Sequence, residues 1–559
     1  MTYVAPVAEQ RFVLATIADM AGLATLPRFA DATPDLVDAV LDEAAKLTGE
    51  VFAPLNRVGD SIGARLDDGE VTLPEGFADA YRLYVEGGWG SLAANPAHGG
   101  QGLPFVLAAA VQEQIDSANM AFGLNMMLTS GAIEAIAAHA SEALKARYLA
   151  KLVSGEWTGT MNLTEPQAGS DVGALRTSAS PADDGSWRIK GSKIFITWGE
   201  HALADNIVHL VLARTPGAPK GTRGISLFIV PKILPGGSRN DLRCVAIEHK
   251  LGIHASPTCT MSFGDHDACV GYLVGEEHSG MRAMFTMMNH ARINVGLQGV
   301  AIAERAYQAA LAFAKERVQM KRIVEHADVR RMLMTMKATT EAIRALAYLN
   351  AAAVDRAHAG DAEARALADL LTPVTKAYAT DMGVEMASLG VQVFGGMGFI
   401  EETGAAQHYR DARIAPIYEG TNGIQAMDLV GRKLPQGRWQ SLFAEMRGDV
   451  AGNAALENGL AALEAATDWL LRNPGEDAAA GAAPYLRMFG IVAGGWLLAR
   501  QARAAAARLA AGEGDAGFLA AKIDTARFFA EQIVPQAAGL LPAATAGAAP
   551  LFAIGEERL

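Results

Sequence analysis

A long stretch without proline limits what this chain can fold into. No proline occurs from Thr258 to Thr372, and most of residues 279–390 repeat apolar side chains with a helical period. Proline inside a helix removes a backbone hydrogen bond and clashes with the preceding turn, so long unbroken helices need proline-free segments. The stretch therefore predicts a bundle of long helices over residues 276–435.

The residues before this bundle follow two different apolar periods. Residues 1–158 are predicted to form a helical domain, in which Thr33-Pro34 is typical of a helix N-terminus. Residues 159–275 contain short segments such as "KIFIT" and "GISLFIVPK", which Gly, Pro and Asp-Gly separate. Because no helix-length pattern lies between them, we expect a β domain built as an antiparallel barrel or sandwich.

The residues after the bundle are rich in alanine and predict an additional helical domain over 441–559. "KLPQGRW" (433–439) reads as a linker before this tail, and "NPGEDAAAGAAP" (473–484) as a break within it. The expected fold is mainly α with a central β domain, and 559 residues are enough for several domains.

Composition excludes some classes of function. A formal net charge of −13 argues against a nucleic-acid binder. Three cysteines (Cys244, Cys259, Cys269) follow no metal or disulfide spacing, which is typical of a reducing compartment. The first residues lack the apolar run of a secretory signal, and the apolar run 488–499 is too short to span a bilayer. We therefore predict a cytoplasmic protein without a transmembrane segment.

Two short motifs of the β region contain side chains suited to ligand binding. "LTEPQAGSD" (163–171) offers hydroxyl groups and a glycine that lets a ligand approach the backbone, although an ordinary Pro-Gly turn explains it as well. "GSKIFITWG" (191–199) alternates like a strand. Its Phe195 or Trp198 suits stacking on a flat ligand, but aromatic residues on strands usually belong to the core.

Two further motifs lie in the helical region. "VQVFGGMGFIEE" (391–402) is rich in glycine, but it lacks the spacing of a dinucleotide-binding loop and follows a helical pattern, so a helix–helix turn is the simplest interpretation. "APIYEGTNGIQ" (415–425) places Glu419 at a tight turn with no adjacent lysine or arginine. A single Glu near a helix start is most often solvated. No metal-binding, nucleophile-elbow or P-loop motif is present in the sequence.

Taken together and in this order, the motifs resemble those of the acyl-CoA dehydrogenase family. The likeness rests on "LTEPQAGSD", "KIFIT", "ERVQ", "VQVFGGMGF" and "YRDARIAPIYEGTNGIQ", and covers roughly residues 35–435. The tail and stretches such as "EHKLGIHASPTC" (248–259) are similar to a larger bacterial branch that includes 3-methylthiopropanoyl-CoA dehydrogenases. The resemblance implies a four-helix bundle for residues 276–435 and an FAD-dependent enzyme that converts an acyl-CoA thioester to the trans-2-enoyl-CoA.

The resemblance implies that Glu419 is the catalytic base for the α-proton of the thioester. Desolvation in an apolar pocket raises a carboxylate's pKa and makes it a better base. Some relatives carry the base on a helix, one residue before an arginine; here that position is Ala291, which cannot remove a proton. By the same resemblance, Tyr418, Gly420 and Ser170 contact substrate, and the backbone N–H of Glu419 polarises the thioester carbonyl together with a flavin hydroxyl.

The resemblance also implies an FAD site shared between subunits. Its expected contacts are Leu163, Thr164 and Ser170 at the isoalloxazine edge, Phe195 and Thr197 over the flavin, Thr421 after the base, and Arg317, Gln392, Gly395 and Gly396 at the pyrophosphate and adenine. Residues of the last group come partly from a second subunit, so a homodimer or larger homo-oligomer is implied. Arginine suits pyrophosphate because its guanidinium is planar and always charged.

Three positions depart from the family pattern. Phe195 replaces a frequent Trp, which puts flavin stacking in question; Met320 replaces an aromatic residue; and Asn289 replaces the usual Asp three residues before Arg292. Asn289 and Arg292 are nevertheless the expected contacts on the CoA side.

The sequence leaves the electron acceptor and the acyl group open. An electron-transferring flavoprotein is the family's usual acceptor, while an acyl-CoA oxidase, a monooxygenase-like relative and a non-catalytic thioester-binding scaffold are the alternatives. The resemblance suggests a short, sulfur-containing or medium-length acyl group. Residues 441–559 are hypothesised to complete a dimer.

Overall fold

Helices form most of the N-terminal region in the computed structural model, which describes residues 3–559. They are α1 (Val7–Thr16), α2 (Met20–Ala24), α3 (Pro34–Leu47), α4 (Ala53–Ile62), α5 (Phe77–Glu86), α6 (Phe105–His139) and α7 (Glu142–Ser154), with a hairpin of β1 (Arg65–Asp67) and β2 (Glu70–Thr72). The predicted start of α3 is confirmed, because the Thr33 side chain accepts a hydrogen bond from the Leu36 N–H. Helix α6 is kinked at Asn119, where φ is −158° and ψ is 90°.

The central β domain contains one large sheet. Its strands are β3 (Trp157–Asn162), β4 (Ser178–Pro181), β5 (Trp187–Thr197), β6 (Asn206–Arg214), β7 (Ile225–Pro231), β8 (Leu242–Ile247), β9 (Thr258–Phe263) and β10 (Val270–Val274). The strand order is β10-β7-β6-β4-β5-β9-β8, and β10 also pairs with β5, which closes part of the sheet into a ring. Most pairs are antiparallel, as predicted. Strands β3 and β4 instead run parallel to β6, because the connection through residues 163–205 crosses over and returns.

Long helices fill the region after the sheet, as the proline-free stretch predicts. They are α8 (Gly280–Glu316), α9 (Ala327–His358) and α10 (Ala362–Phe394), followed by the shorter α11 (Ala405–Ala412) and α12 (Asn422–Asp428), with a small hairpin of β11 (Val318–Gln319) and β12 (Lys321–Arg322) after α8. Helix α8 packs tightly on α10: a Cβ at Gly299 would lie 2.2 Å from the Ala379 carbonyl oxygen. Glycine at this position lets the two backbones approach each other.

The C-terminal tail is helical and docks on the rest of the chain. It contains α13 (Arg438–Val450), α14 (Ala454–Arg472), α15 (Glu476–Ala511), α16 (Ala516–Gln532) and α17 (Pro535–Ala544). The predicted break at 473–484 was too long, since only residues 473–475 interrupt the helices and Pro484 lies inside α15. The predicted linker is an ordered turn, because Leu434 is fully buried. The domain boundaries themselves stay predictions.

A buried cluster of charges joins the tail to the N-terminal helix α1 and to the long helix α9. Lys522 of α16 lies 2.6 Å from a carboxylate oxygen of Glu9 in α1 and 2.6 Å from one of Glu341 in α9. Lys337 pairs with the other oxygen of Glu341. These contacts fix α16 against the N-terminal helix and the bundle.

Two helices are long and apolar enough to cross a membrane, namely Phe105–His139 and Glu476–Ala511. In each, about four fifths of the most apolar window is buried inside the protein, as in the core helices of soluble proteins. The absence of a membrane-spanning segment stays a prediction.

Candidate active site

Glu419 lies in a strained turn between α11 and α12. Its φ is +56° and that of Gly420 is +84°, so a non-glycine residue adopts the left-handed conformation here. Such conformations persist only where the surrounding structure holds them. The Thr421 side chain then caps α12 by accepting a hydrogen bond from the Ile424 N–H at 3.3 Å.

Asn422 ties this turn to α10. Its Nδ2 donates to the Asp381 carboxylate at 2.7 Å, and its Oδ1 accepts from Lys376 Nζ at 2.8 Å. On the other side, Arg292 Nε of α8 donates to the Glu419 carbonyl oxygen at 3.4 Å. Two packed helices therefore hold the backbone on which the Glu419 side chain is mounted.

The Glu419 carboxylate has no hydrogen-bond or ion-pair partner among residues 3–559. Burial raises the pKa of Glu419 to about 7, and the positive charges of Arg292 and Lys376 oppose this rise. Burial also lowers the pKa of Lys376 to about 7, so that lysine is a weak counter-charge near neutral pH. The arrangement provides a carboxylate able to accept a proton near neutral pH.

The residues predicted to contact substrate surround this turn. Arg292 is buried and its Nη1 donates to Asn289 Oδ1 at 3.3 Å, while Asn289 itself is exposed. The Tyr418 hydroxyl donates to Gln298 of α8 in a short hydrogen bond. Tyr418, Glu419 and Gly420 are partly buried, whereas Ile417 is 49% exposed.

The loop 163–171 is held by a buried ion pair. Lys193 Nζ donates to the Leu163 carbonyl at 3.0 Å and lies 2.8 Å from Glu165, while Ile194 N–H donates to the Thr164 carbonyl. Although burial acts to raise it, the pKa of Glu165 falls to about 2 because Lys193 and two neighbouring donors stabilise the carboxylate. Leu163 and Thr164 are thus fixed, and Ser170 lies exposed in the same loop.

A β-bulge aims Phe195 outward. The pairing of β5 with β9 shifts register between Lys193 and Ile196, and Phe195 has a φ of +60°. Its ring is 57% exposed, and Thr197 follows at the end of the strand. Trp198 is buried instead and donates its indole N–H to the Ala121 carbonyl of α6, so of the two aromatic residues only Phe195 is accessible.

Four predicted cofactor contacts lie far from Glu419. Arg317 follows the last residue of α8. Gln392 lies in the last turn of α10, and Gly395 and Gly396 follow that helix; Phe313 and Phe394 stack at 4.2 Å and bring these helix ends together. Because α8 rises about 1.5 Å per residue, Arg317 is about 37 Å from Arg292 along the helix. One chain therefore does not bring all the predicted FAD contacts into one site.

Several residues that position the candidate site were not predicted from the sequence. Lys376, Asn422 and Gln298 position the Glu419 turn, and Glu165 with Lys193 positions the loop after β3. The one available signal was Lys376, a charged residue inside the apolar run of α10. Over residues 3–559, no group of three or more His, Cys, Asp or Glu side chains is placed to hold a metal ion.

Comparisons with known families agree with this architecture. Residues 43–156, 160–266 and 278–434 match the N-terminal, middle and C-terminal domain models of acyl-CoA dehydrogenases. Residues 442–555 match a model described as acetyl-CoA dehydrogenase C-terminal like.

Curated relatives match almost the whole chain. A 3-methylmercaptopropionyl-CoA dehydrogenase of Ruegeria pomeroyi is 51% identical, with 96% of each chain covered. A butyryl-CoA dehydrogenase of Syntrophomonas wolfei is 39% identical, with 91% of each covered.

Solved structures share the fold. Caenorhabditis elegans ACDH-11 in complex with C11-CoA has a TM-score of 0.79 at 21% identity, with 95% of this chain and 92% of that chain covered. A Bacillus anthracis acyl-CoA dehydrogenase complexed with FAD has a TM-score of 0.76 at 21% identity, with 94% and 90% covered. With its domain matches and its 51% identical relative, the chain belongs to the acyl-CoA dehydrogenase family, oxidoreductases that act on acyl-CoA.

Proposed function

We propose that this protein is an FAD-dependent acyl-CoA dehydrogenase in which Glu419 is the catalytic base. The observation that carries the proposal is the partly buried Glu419 side chain, whose carboxylate has no partner among the described residues and which is held in a strained turn by Arg292 and Asn422. Glu419 would take the α-proton of the thioester. Ala291, at the family's alternative base position, has no group that accepts a proton.

The residues present fit an FAD molecule. Phe195 offers an exposed aromatic ring, Arg317 has no side-chain partner among residues 3–559, and open space surrounds Gly395 and Gly396 where a Cβ would lie. Leu163, Thr164, Ser170, Thr197 and Thr421 would hold the flavin end, and Arg317, Gln392, Gly395 and Gly396 the pyrophosphate and adenine. Bound FAD would supply the acceptor for the hydride that leaves the β-carbon, so that loss of one proton and one hydride yields the enoyl thioester.

A groove beside Arg292 suits the CoA moiety. It lies between α8, α10 and the end of α12, and its lining includes Asn289, Arg292, Thr372, Arg432 and Lys433. Pro373 lacks an N–H, so the Asp369 carbonyl four residues earlier loses its usual helical donor. Asp428 and Asp369 also line the groove and pair with Arg432 and Lys433, so Arg292 is the cation of the groove without an ion-pair partner among residues 3–559. The Asp369 carbonyl, the amide of Asn289 and Arg292 together match a ligand with amides near the thioester and phosphates further out.

The proposed substrate is a short acyl-CoA, with 3-methylthiopropanoyl-CoA as the first candidate. The relative from Ruegeria pomeroyi, named for that substrate, and the butyryl-CoA dehydrogenase both support a short acyl group. Tyr418, Gly420 and Ser170 would line the thioester end. An oxidase that reduces oxygen is a second candidate because Phe195 is exposed, and the peroxide yield under air separates the two.

We further propose a homodimer and an electron-transferring flavoprotein as the acceptor. The separation of Arg317 from Glu419 requires a second subunit to complete each FAD site. Apolar side chains near Arg317 are also unusually exposed, with Met320 96% and Phe399 87% accessible, which is typical of an interface.

A cytoplasmic location is part of the proposal. Light scattering on a chain lacking residues 441–559 tests whether the tail completes the dimer; an unchanged dimer would exclude that role.

An anaerobic visible spectrum tests the proposed function. We expect a yellow protein whose oxidised-flavin band bleaches on adding 3-methylthiopropanoyl-CoA or butyryl-CoA. A yellow protein that no acyl-CoA bleaches would exclude dehydrogenation of the thioesters tested, and a colourless protein that FAD does not reconstitute would favour a binding scaffold.

A further inference from the structure

Helix α15 of the C-terminal tail lies against the helix that supports the Glu419 turn. It packs on α10 and also on α12, which begins three residues after Glu419. A Cβ at Gly490 of α15 would lie 2.2 Å from Cγ of the Tyr378 ring in α10, so glycine lets the two helices approach each other here. The tail therefore contacts the support of the candidate base within one chain.

An ion pair lies beside this close contact. Arg487, one turn before Gly490 in α15, pairs with both carboxylate oxygens of Glu385 in α10, at 2.5 and 3.1 Å. Two parallel hydrogen bonds from one guanidinium fix the positions of both side chains. Because Arg487 is 37% and Glu385 43% exposed, the pair contributes little to the overall stability of the protein.

Asp381 lies one helical turn before Glu385, on the same face of α10. It accepts a hydrogen bond from Asn422 Nδ2 at 2.7 Å, whereas the bonds from this nitrogen to Thr380 Oγ1 and to the Ala377 carbonyl are 3.0 and 3.1 Å long. A hydrogen bond to an ionised carboxylate is stronger than one to a neutral oxygen. While it is ionised, Asp381 is therefore the strongest of these three restraints on Asn422.

Charges on two helices act on the Asp381 carboxylate. Burial raises the pKa of Asp381, and the like charge of Glu385 raises it further. The hydrogen bond from Asn422 and the positive charges of Arg487 and Lys376 lower this pKa. Lys376 is a weak counter-charge near neutral pH, because burial lowers its own pKa to about 7, whereas an arginine is always charged. Arg487 is therefore the dependable cation that offsets the charge of Glu385.

We propose that Arg487 of the C-terminal tail is a positioning residue for Glu419. Arg487 neutralises Glu385 and so keeps Asp381 a charged acceptor. Asn422, which donates to that acceptor, fixes the strained turn of Glu419. The inference rests on the proposed function and extends it, since the tail then supports the base of its own chain, whatever its role in assembly.

The test measures flavin reduction by butyryl-CoA in the holoenzyme under anaerobic conditions. Arg487→Met leaves the charge of Glu385 uncompensated beside Asp381. The rate at saturating butyryl-CoA should fall by about tenfold, because a small misplacement of a reacting group slows the chemical step. The FAD content and the affinity for butyryl-CoA should stay near those of the wild type. Arg487→Gln, which keeps a polar side chain, replaces Arg487→Met if that variant folds poorly.

A second substitution separates the effect of charge from the docking of the tail. Glu385→Gln added to Arg487→Met removes the uncompensated charge without restoring the ion pair, so it should restore most of the lost rate. Arg438→Met is the matched control. Arg438 of α13 also joins the tail to α10, but its Nε lies 3.7 Å from Glu363, about 27 Å along the helix from Asp381, so this variant should keep the wild-type rate.

Three results would overturn the inference. The first is a wild-type rate in Arg487→Met, and the second is a loss of rate that Glu385→Gln does not restore. The third is an equal loss in Arg438→Met, which would assign the effect to docking in general. A wild type whose flavin no acyl-CoA reduces would instead refute the proposed function, and the inference with it.

Discussion

Two glutamates of this protein have pKa values that are shifted in opposite directions. Glu419 in the candidate active site has no ion-pair partner among residues 3–559, and burial raises its pKa to about 7. Glu341 in α9 is also buried, yet Lys522 and Lys337 overcome the effect of burial and lower the pKa of Glu341 to about 2. Desolvation acts to raise the pKa of both carboxylates, so the presence of a close cation decides whether the carboxylate is a base or a fixed charge.

The two glutamates have different proposed roles within one helical scaffold, catalysis for Glu419 and assembly for Glu341. Arg292 approaches Glu419 through the backbone carbonyl, and Lys376 is engaged by Asn422, so neither cation bonds the Glu419 carboxylate. At Glu341 each oxygen contacts a lysine. The first arrangement keeps a carboxylate reactive, and the second uses carboxylates to dock the C-terminal tail.

The largest expected effect is on catalysis. Glu419→Gln should reduce the rate of flavin reduction by acyl-CoA by about 10²–10⁴-fold, because the amide cannot accept the α-proton. Stopped-flow absorbance under anaerobic conditions measures this rate, with flavin content and acyl-CoA affinity as controls. Reduction at a near wild-type rate would remove Glu419 from the mechanism.

The next effect is on the docking of the tail. Lys522→Met leaves Glu9 and Glu341 without their shared cation and should lower the free energy of unfolding by about 3–5 kcal/mol. Thermal unfolding measures the loss. Lys46→Met, which breaks the exposed pair with Glu43, is the matched control and should leave the melting temperature nearly unchanged. Equal effects of the two variants would show that the buried cluster does not fasten the tail.

A smaller effect distinguishes the two glutamates by the sign of a stability change. Because its folded pKa is raised, Glu419 contributes stability below its ordinary pKa and loses this contribution as pH rises through about 7. Glu419→Gln should therefore stabilise the protein by about 2 kcal/mol at pH 8 and have little effect at pH 4.

Glu341→Gln should destabilise the protein at pH 8, because the folded pKa of Glu341 is lowered. The stabilisation by Glu341 is lost only as pH falls from about 4.5 towards 2. Chemical denaturation at the two pH values measures both, and changes of the same sign would contradict the comparison.

The smallest effect concerns the neighbouring lysine. Lys376→Met removes a positive charge that lowers the pKa of Glu419, so the pH midpoint of flavin reduction should move upward by about one unit or less. Lys376→Arg keeps the charge and should leave the midpoint near that of the wild type. A downward movement in Lys376→Met would show that this lysine does not act on Glu419 through its charge.

The sequence predicts the turn that carries Glu419 better than it predicts the side chains that change the pKa of Glu419. An unpaired Glu between Tyr418 and Gly420 is visible locally, because no lysine or arginine adjoins it. Lys376 and Arg292 approach it only through the packing of α8 and α10, and no local pattern encodes that contact. For the same reason the Lys193–Glu165 pair, which depends on the bulge in β5, was not foreseen.

The fold could be predicted in the regions where the apolar period and the proline content determine the secondary structure. The long helices α8, α9 and α10 follow from the proline-free stretch, and the β domain from its short alternating segments. The parallel pairing of β3 with β6 depends on a crossover between distant residues. Pro484 nevertheless lies inside a helix, because α15 is long and packs on its neighbours. A prediction from local sequence treats proline as a helix breaker and takes no account of this packing.

The pH dependence of flavin reduction in the wild-type enzyme tests the central claim most directly. If an unpaired, desolvated Glu419 is the base, the rate at saturating acyl-CoA should rise with pH, with an apparent pKa near 7, and reach a plateau above it. A rate that is flat from pH 5.5 to 8.5, or half-maximal near the ordinary glutamate pKa of about 4.3, would contradict the account.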